Sequence, residues 1–339
     1  MSLDAITVAL SVLLGPAGAD GPEFTLGKVQ NFPNSRPPMP IYHICPDAHV
    51  TLLRDGNGLQ MYWAERTSYR TRGPTLFQMG QPEPVLGPGP KGAYDNHGAW
   101  LSGVFRQGPN KLLGFYHAED HEFKEMPMSG FRTWKSIALC TSADNGRTWR
   151  KHGQIITTDQ QKPPRPAFGG AGDFCVVRDE KNSRWVCFFY DTHLSMAVST
   201  DPDAKPGTWK KYYRGDFTEP GLGGKRSTMP AFEWYRGINP SVHGNTYLHK
   251  WVMVWHTLPN QSPHPNSIWM SVTDDLVHWG QPEVVVAATG KESFGFATIL
   301  GSTDQSAGQK ALLVYADFTN LAQGARRFVM RDISFGPGK

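Results

Sequence analysis

The chain does without most of the features that would place it quickly. No apolar run comes near the roughly 20 residues of a helical membrane span, so a membrane is not an expected partner. Its 34 Lys and Arg are interleaved with 30 Asp and Glu for a net charge of +4, without the clustered basic stripe that tracking of phosphates requires. Nucleic acid is therefore not an expected partner either. Sustained helical periodicity is missing, which argues against a helix bundle. Only four cysteines occur, Cys45, Cys140, Cys175 and Cys187, and their spacing is not that of a zinc site. A turn centred on Lys181 would set Cys175 directly opposite Cys187. That arrangement admits either a cross-strand disulfide in an oxidising compartment or two buried thiols on neighbouring strands.

The N-terminal region is ambiguous in the same spare way. Residues 5–14 are apolar and lead through Gly15-Pro16 into Ala17-Gly18-Ala19, the small-x-small pattern of a signal-peptidase site. That reading expects a secreted or periplasmic protein. The missing basic n-region and the presence of Asp4 argue the other way, and without a leader the protein would stay in the cytoplasm. Residues 1–19 are accordingly set apart as a signal-peptide remnant, 20–40 as an N-terminal extension, and 41–339 as one domain.

What the chain has in quantity is turn-forming and aromatic residues: 36 Gly, 27 Pro and 12% Phe, Trp and Tyr, with 39% hydrophobic residues overall. They are organised as a five-fold internal echo in which a short apolar strand, a tight polar turn and a second strand ending in an aromatic residue recur. The second strands end at Trp63, Tyr116, Tyr190, Trp255 and Tyr315. Four of the turns are compact: Asp55-Gly56-Asn57-Gly58, Gln107-Gly108-Pro109-Asn110, Asp179-Glu180-Lys181-Asn182 and His243-Gly244-Asn245. The fifth, 302–308, is longer. Repetition at this period means that each unit exposes an apolar face that only a neighbour can cover. The expected fold is all-β, a five-bladed β-propeller of four-stranded antiparallel blades around a central channel. Outer strands are legible in three units, where a strand runs into a Ser/Thr and Asp turn and then Trp149, Trp209 or Trp279, which should pack between blades.

The sharpest of these turns, Ser142-Ala143-Asp144-Asn145-Gly146-Arg147-Thr148-Trp149, matches S-x-D-x-G-x-T-W and resembles the Asp box of sialidase-like and other glycosidase propellers. Asp274-Asp275-Leu276-Val277-His278-Trp279 is similar to the "DLxxW" outer turn of the five-bladed furanosidase-type superfamily, which includes glycoside hydrolase families 32, 43, 117 and 130. The stretch Cys45-Pro46-Asp47-Ala48-His49-Val50 resembles the "DP-x-V" start of the first blade in that superfamily, and Gly172-Asp173-Phe174-Cys175-Val176 repeats it in the third. The resemblance implies a glycoside hydrolase acting on a terminal or short carbohydrate, with an oligosaccharide or polysaccharide as partner. It requires no cofactor, and leaves room for a structural cation in the central channel.

Antiparallel pairing puts the start of each first strand and the end of each second strand on one face of a propeller. That rule gathers Asp47, Glu65, Asp95, His97, His117, Glu119, Asp173, Asp191, His193, Asn239, His256 and Asp317 at one mouth of the channel. By resemblance the first-blade Asp47 is base or nucleophile and Asp173 orients the acid and tunes its pKa. Glycoside hydrolysis asks for such a pair, one carboxylate acting on water or the anomeric carbon and another carboxyl protonating the leaving oxygen. The Glu that commonly opens a later blade is absent, since Asn239-Pro240 stands there. Glu119 is therefore the expected acid and Glu233 its alternative. Glu65, Asp95, His97, Trp100, His117, Asp191, Asn239, His243 and His256 are candidates for substrate binding, with Trp234, Tyr235 and Trp255 as further stacking candidates. For each single Asp, Glu or His a turn cap or a satisfied structural role competes with these assignments. Two other functions fit less of the pattern. One is a sialidase-like six-bladed hydrolase, loosely suggested by Tyr42-His43-Ile44-Cys45-Pro46 but with His43 in place of the expected Arg. The other is a non-catalytic carbohydrate-binding propeller that has lost its proton donor.

Overall fold

The computed structural model describes residues 21–32, 46–128, 132–232, 237–260, 264–319 and 326–337. The described residues form no α-helix and five antiparallel sheets, one for each unit of the internal repeat. Blade one runs Thr51–Asp55, Gly58–Glu65, Thr67–Gly73 and Glu83–Leu86 from the channel outward. Blades two, three and four follow in sequence, starting at Gly98, Gly172 and Ile238. Blade five pairs Phe294–Leu300 with Lys310–Asp317 and then Arg327–Phe335. Its outermost strand is Phe24–Leu26 from the N-terminal side of the chain, registered Phe24 to Phe335. The segment expected as a bare extension thus closes the ring. Five sheets also exclude the six-bladed alternative.

The core lies in the seams between blades. The five large clusters of buried apolar side chains among the described residues each draw on two neighbouring blades, such as Leu113, Phe115 and Ile137 of blade two with Phe174, Val176 and Trp185 of blade three. Trp209 and Trp279 are buried in these seams, and Trp149 meets Tyr62 edge-on at 6.0 Å. Burying so much apolar surface between sheets is what a repeat that cannot stand alone gains from closing into a ring.

Outer turns repeat one piece of chemistry. The carboxylate of Asp144 accepts from the main-chain N–H groups of Arg147 and Thr148 at 3.1 and 2.9 Å, with Gly146 at φ 83° completing the turn. Asp275 does the same for Val277 and His278, both at 2.8 Å. The Thr148 N–H and the other turn donors hold the Asp144 carboxyl below the ordinary range. At Asp275 burial is the largest single effect and raises the pKa, but the His278 side chain and the turn N–H groups together outweigh it. Both carboxyls belong to the scaffold.

The cysteine geometry differs from the expectation. Cys175 pairs with Phe188 and Cys187 with Val176, because the hairpin loop joins Asp179 to Arg184 and is centred half a residue beyond Lys181. One register step puts the two thiols on opposite faces of the sheet. Cys175 packs in the seam toward blade four and Cys187 in the seam toward blade two. Both are free and buried, as is Cys140; Cys45 lies outside the described residues.

Candidate active site

A cavity of about 310 Å³ opens at one mouth of the channel. Its wall takes residues from all five blades, because first-strand starts and second-strand ends meet at the same end of every sheet: Gly98 faces Glu119, Gly172 faces Tyr190, Ile238 faces His256 and Phe294 faces Asp317. Blade one joins through the Asp47 N–H, which donates to the Ala64 carbonyl at 2.8 Å.

Three blades use the same backbone device to aim a side chain inward. The first strands of blades three, four and five are interrupted between Gly172 and Phe174, Ile238 and Ser241, and Gly295 and Thr298. At each interruption a non-glycine residue adopts a left-handed conformation: Asp173 at φ 47°, Asn239 at 54° and Phe296 at 53°. A β-bulge of this kind re-aims a side chain out of the sheet's alternation. Asp and Asn tolerate the conformation, whereas a bulky ring there is a true outlier and costs on the order of 1–3 kcal/mol. All three side chains line the cavity.

The carboxyl groups of the wall have distinct surroundings. Glu119 accepts from His117 Nε2 at 3.1 Å and from His121 Nε2 at 2.8 Å. Burial opposes its charge, but the two imidazole donors and the positive field of Lys135 outweigh burial and hold Glu119 well below the usual carboxylate range. The tautomer of His117 follows from its other nitrogen: Nδ1 accepts the Asp173 main-chain N–H at 2.9 Å, so Nε2 carries the hydrogen offered to Glu119. His121 is stacked on His97 at 3.6 Å between centroids. Asp173 is likewise desolvated, yet the ammonium of Lys135, 2.5 Å from Oδ2, and His117 lower its pKa.

Asp47 is the opposite case. It keeps 32% of its side chain open to the cavity while protein crowds it elsewhere. Crowding raises its pKa to about 6; Arg326, whose Nη1 lies 2.8 Å from Oδ1, opposes the rise, and the charges of Glu119 and Glu65 add to it.

Seven of the expected residues therefore share the cavity wall: Asp47, Trp100, His117, Glu119, Asp173, Asn239 and His256. Others lie elsewhere. Asp95 is buried against Lys151 and Tyr116, and Asp191 pairs with Arg226. His243 is buried beside Phe335, and burial holds its pKa down to about 3. His97 stands behind His121, and Glu65 acts on Asp47 only through its charge. Trp255 is wholly buried and packed on Phe232 in a seam. Glu233, Trp234 and Tyr235 lie outside the described residues. Sequence reasoning missed Lys135, on a third strand, Arg326, just before the last one, and the apolar lining of Phe168, Leu258, Phe296 and Phe318. Lys135 and Arg326 sit at positions the strand rule does not count, so nothing in the repeat marks them. Among the described residues no group of three or more His, Cys, Asp or Glu is arranged to hold a metal ion.

No family model matches the sequence, and no curated protein matches it. Solved structures do. A protein described as a glycoside hydrolase superposes with a TM-score of 0.58 at 11% identity, over 95% of this chain and 94% of that one. A family 117 glycoside hydrolase from the marine bacterium Zobellia galactanivorans gives 0.56 at 11%, over 93% and 92%. A thermostable family-43 glycoside hydrolase gives 0.53 at 13%, over 87% and 93%. The chain shares the five-bladed β-propeller fold with these structures. Identity this low speaks for the architecture, and the chemistry has to be argued from the cavity itself.

Proposed function

We propose that the protein is a glycoside hydrolase acting on a terminal or short carbohydrate at the channel mouth. The observation that carries the reading is the convergence of Asp47, Glu119 and Asp173 from three blades on one cavity, each in a different protonic environment. Asp47 serves as base or nucleophile. A pKa near 6 leaves it mostly ionised at neutral pH while making it a better proton acceptor than an ordinary aspartate. Asp173, fixed by Lys135, supplies a permanent negative charge and holds the tautomer of His117 through its backbone.

Glu119 rests ionised, so it is not a stored acid. The proton for the leaving oxygen has to be taken up from solvent. His117, whose Nδ1 is an acceptor, has none to give without becoming an imidazolate. The proton is therefore carried on His121 Nε2 and passes through Glu119 to the substrate, leaving His121 neutral. That role also accounts for a proton donor in blade two when blade four offers Asn239.

A panel of aryl glycosides and natural oligosaccharides tests the assignment, with Asp47→Asn as control. Hydrolysis of at least one substrate, lost in Asp47→Asn with unchanged melting, supports it. Sugar binding with no hydrolysis of any substrate would leave a lectin-like propeller instead.

A further inference from the structure

The ring that carries the proton stands behind the cavity wall. Glu119 lines the cavity, and the buried His121 holds its Oε2 from behind at 2.8 Å. In the plane of its ring His121 has only that partner, since Nδ1 is buried and makes no hydrogen bond. Its main-chain N–H donates to Asn96 Oδ1 at 3.1 Å, which ties the backbone but does not set the angle of the ring. That angle is set by His97, stacked on His121 at 3.6 Å between centroids with 9° between the planes. His97 is itself anchored: its N–H donates to the Glu119 carbonyl at 3.0 Å, and its own carbonyl accepts from Arg66 Nε at 3.3 Å. The stacked pair has room for one charge, because two imidazolium rings at this spacing would each oppose the other. Their surroundings are unequal. His121 meets the Glu119 carboxylate directly, whereas burial, His121 and Arg66 hold the pKa of His97 down to about 4 against the pull of Glu119. Asp120, the next carboxylate on that strand, is paired with Lys162.

We infer that His97 is a positioning residue for the proton donor: its neutral ring, lying flat on His121, aims Nε2 at Glu119 and keeps the single proton of the pair on His121. The inference rests on the hydrolase reading for what that proton does, and is independent of it for where the proton is held. In each turnover the His121 imidazolium gives its Nε2 hydrogen to Glu119. Glu119 passes a hydrogen to the leaving oxygen, which takes the electron pair of the breaking C–O bond, and a solvent proton then restores His121. His97 gives and takes no proton at any stage. Its contribution is orientation, and a misaligned donor loses rate steeply.

His97→Ala removes the flat face, and His97→Phe restores it without a titratable nitrogen. In the Ala variant kcat/KM should fall about 10- to 100-fold on alkyl glycosides, whose leaving oxygen needs a proton, and less than about threefold on activated aryl glycosides. The Phe variant should recover most of that loss. His97→Leu fills the space without a flat face, so it should behave as the Ala variant does and replaces it if Ala does not fold. Histidine-selective ¹⁵N NMR reads the placement without turnover. The His121 Nε2 hydrogen should exchange slowly in wild type and in the Phe variant, and at least about tenfold faster in the Ala or Leu variant. If no glycoside is hydrolysed and this exchange pattern holds, the inference stands and the hydrolase reading falls. Free exchange in wild type, an unchanged rate in the Ala and Leu variants, or a Phe variant as impaired as Ala overturns the inference. So does the absence of any loss in an active enzyme, or a loss equal on both kinds of leaving group, which would leave His97 a packing residue only.

Discussion

The two sides of the cavity are made by the same backbone and carry opposite chemistry. In blade three the bulged first strand delivers Asp173, which Lys135 pins and whose N–H fixes His117. In blade five the equivalent bulge delivers Phe296, whose N–H reaches His256 Nδ1 at 3.4 Å in the same relation to the preceding blade. The hydrogen-bond scaffold is thus reproduced while the side chain it presents changes from an ion to a ring. A repeat of this kind separates where a side chain is aimed from what it does there. The charged side has to be exact in its donors because unpaired buried charge is costly, whereas the apolar side only has to present shape.

The sharpest way to break the charged side is Asp47→Asn. It should lower kcat by about 10²- to 10⁴-fold, measured on the best substrate of the panel, with thermal melting unchanged because Arg326 can still donate to the amide oxygen. Next in size is His121→Gln, which removes the carrier of the proton passed to Glu119. It should cost about 10²-fold on glycosides with a poor leaving group and little on activated aryl glycosides, whose leaving oxygen needs no proton. Equal loss on both would show that His121 only shapes the pocket. On the other side, Phe318→Leu removes the ring that meets Phe296 edge-on and should raise KM by about two- to tenfold with little change in kcat. The smallest effect is a displacement of the pH profile. Asp47 must be ionised to act as base, so kcat/KM should rise with pH through about 6 and fall away below it. Arg326 lowers that pKa, so Arg326→Met should move the rising limb to higher pH; a limb that moves down instead would contradict the pairing.

The blades were legible because their signals are local. Each first hairpin announces itself by turn residues within a few positions, and an Asp before a strand sits where the antiparallel rule says it must. The same rule brought Asp47, Glu119, Asp173, Asn239 and His256 to one wall. His243-Gly244-Asn245, read as a turn, is instead the end of the first strand of blade four. His243 pairs with Val252, well away from the mouth where Ile238 and Asn239 stand, and the turn follows at 246–249. The strand rule also placed Asp95 at the mouth, although Lys151 from blade two's outermost strand draws that carboxylate into a structural pair. Lys135 and Arg326 stayed hidden for a different reason: their partners lie 38 and 279 residues away, and long-range ion pairs leave no trace in a local pattern. Phe296 was hidden by its own chemistry, since an aromatic next to a strand reads as core until the bulge is seen.

The strand Phe24–Leu26 sets the order in which the molecule becomes complete. It pairs with Arg327–Phe335, so the last sheet cannot finish until segments some 300 residues apart have met, and contacts of that separation form slowly. Asp47 and Arg326 face each other across the same junction of first and last blades. The base therefore acquires its cation only when the ring shuts. During refolding, recovery of turnover should lag behind the fluorescence of the inter-blade tryptophans, and the interval between them would measure closure itself.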